Sequence, residues 1–290
     1  MTIPHLFLIV LVNLVWGSLF VIATLGLHQF PPLLFTALRF GLLAVVLIPF
    51  LRIIPGQMKQ ISKISVVMGV AMYVTLYLAL AWTESTAAVA VVGQIEVPIA
   101  VFLGILLLGE RASPLRLAGT GLAFAGVMVI GFDPAVFNSL DALGMITISA
   151  GFYALAMILI RGLNNVNPFV LNAWMALIST IPLLFLSYVF EGDQWAASFG
   201  ADMWGWSTLI YSAFIGSLVG HGGMYYLLRF YPVGTIAPFT LLTPVFAVTG
   251  SIIFLGDSLT LALIVGGLLT LAGVGCVNFA SRGETTDTAQ

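Results

Sequence analysis

Apolar residues run along this chain in ten stretches of roughly twenty, at residues 5–26, 33–52, 63–82, 86–109, 115–131, 142–161, 168–190, 205–229, 234–256 and 260–281. A helix needs about 20 mainly apolar residues to cross the hydrocarbon core at a rise of about 1.5 Å each, so every run predicts one transmembrane helix. The joins carry turn chemistry, as in QFPP, RIIPGQ, WTEST, GERASP, FDPAVFNSLD, NNVNP, EGDQWAASFGAD, YPVG and GDSLT. None has room for a soluble domain. The first run lacks the small-residue cleavage site of a signal peptide and is expected to stay in the mature protein.

Composition agrees with this pattern: 61% of residues are hydrophobic and 7% charged, against about 25% charged in a soluble chain. The expectation is an all-α integral membrane protein with the lipid bilayer as its solvent. A net charge of -2 gives no reason to expect a nucleic-acid partner. The single cysteine, Cys276, provides neither a disulfide nor a cysteine-based metal site, and no cofactor is expected.

Charge also sets orientation. With the N-terminus inside, Arg52, Lys59, Lys63, Arg111, Arg116, Arg161, Arg229 and Arg282 fall at cytoplasmic ends, while Glu84, Asp133, Asp141, Glu191, Asp193 and Asp202 fall on the other side. An excess of basic residues on one side predicts N-in, C-in.

The chain repeats itself. LGERASPLRLAGTGLAFAG around the fourth and fifth runs resembles LGDSLTLALIVGGLLTLAG around the ninth and tenth. Gly109, Glu110, Gly119 and Gly126 map onto Gly256, Asp257, Gly266 and Gly273 at one offset of 147. Pro98 and Gly104 map onto Pro244 and Gly250 with a slip of one, and Gly26, Pro32 and Ala37 match Gly162, Pro168 and Ala173 at an offset of 136. Two five-helix repeats follow, residues 1–133 and 134–290. Five is odd, so the second is inverted relative to the first, an architecture associated with alternating access around a midplane site.

LVWGSLFVIATLGLHQFPPLLFTALRF (14–40), GQIEVPIAVFLGILLLGER (93–111) and LLTPVFAVTGSIIFLGD (241–257) resemble the opening, fourth helix and ninth helix of the EamA family in the drug/metabolite transporter superfamily. The resemblance spans the whole chain. It implies ten helices in two inverted repeats, an inner-membrane location in a prokaryote, and export of small metabolites such as O-acetylserine and cysteine or aromatic amino acids. Two positions depart from the pattern: Glu96 stands where the best-known members carry glutamine, and Asp257 is followed by Ser258 where a Glu-Arg pair is usual. The first bears on substrate identity, whereas the second is expected to matter little.

Candidate chemistry centres on GQIEVP (93–98). Pro98 cannot donate to the carbonyl of residue 94 and its ring crowds that turn, which predicts a kink near Gln94; Pro244 predicts a second kink at the matching place. Glu96, near mid-bilayer, should face inward, stay protonated or pair with a cation. It is a candidate for proton coupling or for recognising a substrate ammonium, with an interhelical hydrogen bond as the structural alternative. His221, among Gly220, Gly222 and Gly223, could join a proton relay or mark close packing. Tyr225, one turn on, could line the same cavity, as could Trp16, Tyr77, Gln94 and Tyr153. Tyr73 lies one turn from Tyr77. Arg39 is expected to snorkel or bond to carbonyls, with a substrate carboxylate as the alternative. Trp195, Trp204 and Trp206 are expected at the headgroup level.

An enzyme would need paired carboxylates, HExxH or GxSxG, and none is present. A channel would show polar rings or a carbonyl filter. A secondary transporter remains, with a small molecule as partner, protons as the coupling ion, and one chain as the working unit. Its substrate is an amino acid or derivative; an organic cation, or uncoupled transport, is the alternative.

Overall fold

Hydrocarbon cannot hydrogen-bond to a peptide, so a chain this apolar satisfies its backbone within helices. The computed structural model describes the backbone of residues 1–109, 112–133, 139–164, 166–228, 230–231 and 237–287, with side chains except those of 108, 195, 221, 225, 228, 237–238 and 281–287. The long helices are α1 (Ile3–Leu27), α2 (Pro32–Phe50), α3 (Met58–Trp82), α4 (Thr86–Leu107), α5 (Pro114–Gly131), α6 (Leu140–Arg161), α7 (Pro168–Phe190), α8 (203–228), α9 (Phe239–Phe254) and α10 (Leu261–Asp287). Eight of these, all but α8 and α9, are long and apolar enough to cross a membrane; α9 is a shorter apolar helix. α8 is helical throughout its described backbone, and a short helix, Gln194–Gly200, precedes it.

Helix starts follow from local chemistry. Pro32, Pro114 and Pro168 open their helices where a missing N–H costs nothing. Ser85, Ser113, Asn167 and Asp202 accept hydrogen bonds from backbone N–H groups in the first turns of α4, α5, α7 and α8. α4 and α9 both end at a left-handed glycine, Gly109 (φ 65°) and Gly256 (φ 76°), a conformation that penalises any residue with a Cβ.

Successive helices run up and down, so the bundle has a near end, holding the N-terminus, and a far end. α1 packs against α9 and α8, α6 against α4 and α3, α2 against α7 and α8, α3 against α7, α4 against α9, and α5 against α10. Phe30, Phe35, Phe40, Tyr73 and Tyr77 are buried at the main core, while Phe102, Ile181, Phe185, Ile253 and Phe279 stand exposed around the outside, where lipid tails are their solvent. Trp204 is exposed, but Trp206 packs edge-on against buried Phe30 with ring centroids 5.4 Å apart, so its indole is held by protein. Trp195 has its side chain outside the described residues.

α5 and α10 meet through glycines that the sequence repeat aligns. A Cβ added to Gly119 would lie 2.8 Å from the Gly273 carbonyl oxygen, one on Gly126 2.5 Å from that of Gly266, and one on Gly266 2.6 Å from that of Gly126. Backbones this close gain dispersion contact that larger side chains would forbid. Gly126→Ala is expected to lower the thermal stability of the purified protein by about 1–3 kcal/mol through overpacking. Gly121→Ala, whose added carbon meets nothing within 4 Å, should leave the midpoint unchanged.

Candidate functional site

Polar groups collect where the spanning helices depart from α geometry. In α4, residues Gly93–Ile95 form a 3₁₀ turn and α-helix resumes at Glu96. Pro98, two residues on and buried, cannot donate to the ladder. Here α4 lies between α6 and α10: a Cβ on Gly93 would sit 3.6 Å from Ile146, and one on Gly267 3.8 Å from Val91. Gln94 is buried and Glu96 half-buried. Neither side chain has a hydrogen-bond partner among the described residues.

α3 and α8 share a different departure, each containing a π-helical stretch, Ser65–Met72 and Tyr211–His221. Such stretches are rare and are frequent at functional sites. Side chains of other helices bond their carbonyls: the Ser179 hydroxyl of α7 donates to the Ser65 oxygen (3.2 Å), the Ser149 hydroxyl of α6 to that of Met72 (2.9 Å), and Arg39 Nε of α2 to that of Ser212 (3.1 Å).

Arg39 is 3% exposed, so it does not snorkel. Its Nη1 donates to the Tyr77 phenol oxygen (3.3 Å) and Nη2 to that of Tyr73 (3.4 Å), and its Cζ lies 4.5 Å from the Tyr73 ring centroid. Hydrogen bonds to a charged group are worth about 1.5–3 kcal/mol and a cation–π contact about 0.5–2 kcal/mol. These offset the several kcal/mol needed to bury a cation, yet every partner is neutral.

Near α8 and α9, Trp16 sits against Gly220, where an added Cβ would meet the indole Nε1 at 2.5 Å. One turn earlier on α1, buried Asn13 accepts from the Thr243 hydroxyl (2.7 Å) and donates to the Ile9 carbonyl (2.7 Å). Thr243 precedes buried Pro244, and a 3₁₀ turn, Ala237–Leu241, lies just before. His221 and Tyr225 have side chains outside the described residues, and Tyr153 is half-buried against the main core. Of the sequence-predicted residues, Tyr77 joins Arg39 and Tyr73; Glu96 is hydrogen-bonded to none of the described ones. Asn13 escaped sequence reasoning although an asparagine inside an apolar run is itself a signal.

The far end is tied by carboxylates. Glu191, after α7, accepts from the N–H groups of Leu33 (2.6 Å) and Leu34 (2.9 Å) at the start of α2. Asp257, after α9, accepts from Ala87 N–H (2.7 Å) and the Ser85 hydroxyl (3.3 Å) at the start of α4, so this turn residue is a cap for a distant helix. The Thr260 hydroxyl donates to Asp133, and Gln29 exchanges two hydrogen bonds with Asp202 (2.9 and 3.0 Å). Gly205 N–H and the Gln29 amide hold the Asp202 carboxyl below its ordinary value. That contribution is therefore complete above about pH 4 and is lost as pH falls through the lowered value. Glu84, Ser85, Ala88, Asp133, Ser258 and Thr260 line a shallow cleft here. At the near end, among the described residues, Gln57 exchanges hydrogen bonds with the Asn164 backbone (3.0 and 2.8 Å), and Gln60 donates to the Leu159 carbonyl (2.6 Å).

Sequence comparison matches residues 3–132 and 142–279 to the EamA-like transporter family. The chain belongs to that family. A "Probable amino-acid metabolite efflux pump" of Salmonella typhimurium is 30% identical over 277 residues, covering 92% of each chain. One of Escherichia coli with the same name is 30% identical over 275 residues, again covering 92% of each. A solved crystal structure superposes with a TM-score of 0.67 at 18% identity, covering 98% of this chain and 99% of the other, which shows a shared fold. The protein is a multi-pass membrane transporter of small molecules and not an enzyme.

Asp257→Ala removes the acceptor at the start of α4 and should cost about 0.5–2 kcal/mol of stability, the range for a lost helix cap. Asp257→Asn keeps an acceptor and should retain most of it. Thermal unfolding of the two purified variants checks this.

Proposed function

We propose that this chain exports an amino acid or amino-acid derivative across the cytoplasmic membrane of a prokaryote, by alternating access between two inverted five-helix halves within a single chain. Family membership and the names of the Salmonella and Escherichia relatives support the substrate class. Supporting the duplication, helix pairings survive exchange of α1–α5 with α6–α10: α1 with α9 becomes α6 with α4, α1 with α8 becomes α6 with α3, and α2 with α8 becomes α7 with α3. Both π-helical stretches also fall in partner helices, with Ser65 and Ser212 at the repeat offset. With the N-terminus inside, the carboxylate ties are periplasmic and the neutral ties cytoplasmic. Freeing one set while keeping the other would open one gate at a time.

The observation that carries proton antiport is Glu96: a half-buried carboxyl in a spanning helix, next to a 3₁₀ break, with no partner among the described residues. No described cation holds this carboxyl in one charge state, and intramembrane carboxyls of this kind mark proton and ion pathways. His221 on α8 is the second proton-carrying candidate. Trp16, Tyr77, Gln94, Tyr153 and Tyr225 are proposed to contact substrate, and the breaks before Pro98 and Pro244 to hinge α4 and α9.

In proteoliposomes loaded with labelled O-acetylserine, cysteine or aromatic amino acids, an imposed pH gradient should drive wild-type flux several-fold above the ungraded rate. Glu96→Gln should keep gradient-independent exchange and lose the stimulation. Full stimulation in the variant would remove Glu96 from proton coupling, and no stimulation in wild type would make transport uncoupled.

A further inference from the structure

The Arg39 cluster contains more hydrogen-bond donors than acceptors. Its guanidinium has five N–H groups and spends one on each of Ser212 O, Tyr77 Oη and Tyr73 Oη. Two guanidinium hydrogens are left. Tyr73 and Tyr77 act here as acceptors, so neither phenol hydrogen has a described acceptor. The Ser212 hydroxyl, fully buried, has no partner among the described residues either. All these donors belong to one junction of α2, α3 and α8, around a buried cation whose contacts are all neutral.

The contacts that hold the cation are also long. Bonds of 3.3 and 3.4 Å to the phenols lie at the far limit for N–H···O, whereas a guanidinium meets a carboxylate at about 2.7–2.9 Å, often through two parallel bonds. Surplus donors, a cation with no counter-charge among the described residues and loose neutral partners are well complemented by a small anion with several lone pairs, such as a carboxylate. The surrounding surface is aromatic, with Phe35 at 5.4 Å from Tyr77 and Phe40 at 5.0 Å from Tyr73 between ring centroids. Such walls suit the apolar body of a small organic acid and not a hydrated inorganic ion.

We infer that Arg39, with the hydroxyls of Tyr73, Tyr77 and Ser212, is the recognition site for the substrate's carboxylate group, reached when α3 and α8 part. This rests on the transport reading above and sharpens it: the cargo must be a carboxylic acid or a zwitterion, and an organic cation lacking an acid group is rejected. The adjoining π-helical stretches place the site where the helices depart from regular packing, with the Ser212 carbonyl as the contact shared between Arg39 and α8. Closure would return Arg39 to the neutral partners seen here.

The test uses the full-length protein in nanodiscs, with thermal unfolding read by tryptophan fluorescence. Probes come in threes that differ by one group: phenylalanine, phenethylamine and 3-phenylpropionate; cysteine, cysteamine and 3-mercaptopropionate. Amino acids and acids should raise the wild-type midpoint, and the amines should not. Arg39→Gln should abolish the rise and Arg39→Lys should raise the half-saturating concentration at least tenfold, since an ammonium cannot make the paired contact. Tyr73→Phe with Tyr77→Phe keeps the cation and should weaken binding about three- to tenfold, and this variant carries the test if Arg39→Gln does not fold. The inference is overturned if amines stabilise as well as acids, if the Arg39 variants bind carboxylates like wild type, or if no carboxylate stabilises wild type. Flux of the same probes in proteoliposomes separates the two claims. Transport of amines and acids alike leaves the exporter standing and removes the carboxylate site; Arg39-dependent binding without flux does the reverse.

Discussion

Inside a bilayer a peptide group has no solvent to fall back on, and a helix that departs from regular geometry frees carbonyls that something in the protein must bond. That constraint organises this transporter. The π-helical stretches of α3 and α8 are bonded by Ser179, Ser149 and Arg39, each on a different helix. Each stretch thereby turns bonded carbonyls toward the bundle while Val66, Ile215 and Leu218 face outward. Polar side chains are recruited to the same places, and with them the groups that can meet a substrate. The 3₁₀ break in α4 does likewise for Gln94 and Glu96.

Contacts between helices take two forms. α5 and α10 touch backbone to backbone through Gly119, Gly126, Gly266 and Gly273, a contact with no room to slide. α1 and α8 meet instead through side chains seated on glycines, Leu19 on Gly216, Trp16 on Gly220 and Val12 on Gly223, and through hydroxyl bonds such as Ser18 to Tyr211 (2.8 Å). Among the described residues the far end is held by carboxylates on helix N-termini, contacts stronger than those of neutral amides.

How legible was this from the residues? Spans were, because length and hydropathy are local properties, and eight of the ten runs reappear as helices able to cross a membrane. The repeat glycines were visible as a spacing, and their spacing turned out to be their packing. Arg39 stood out as costly, and of its two expected outcomes it takes the bond to a carbonyl, that of Ser212, and not the escape to the surface. Its partners Tyr73, Tyr77 and Ser212 lie 34, 38 and 173 residues away, and no periodicity links positions on three helices. Asp257 looked like an idle turn residue for the same reason: the helix it caps begins 171 residues earlier in the chain.

The sequence by itself determined the solvent, the spans, the family and the places where a proline or a buried charge would be expensive, since each follows from residue type and near neighbours. Only the tertiary structure decided which expensive groups would meet. Whether a buried arginine faces a carboxylate, a carbonyl or two tyrosines depends on how α2, α3 and α8 pack, and that packing is set by side chains scattered over the whole chain.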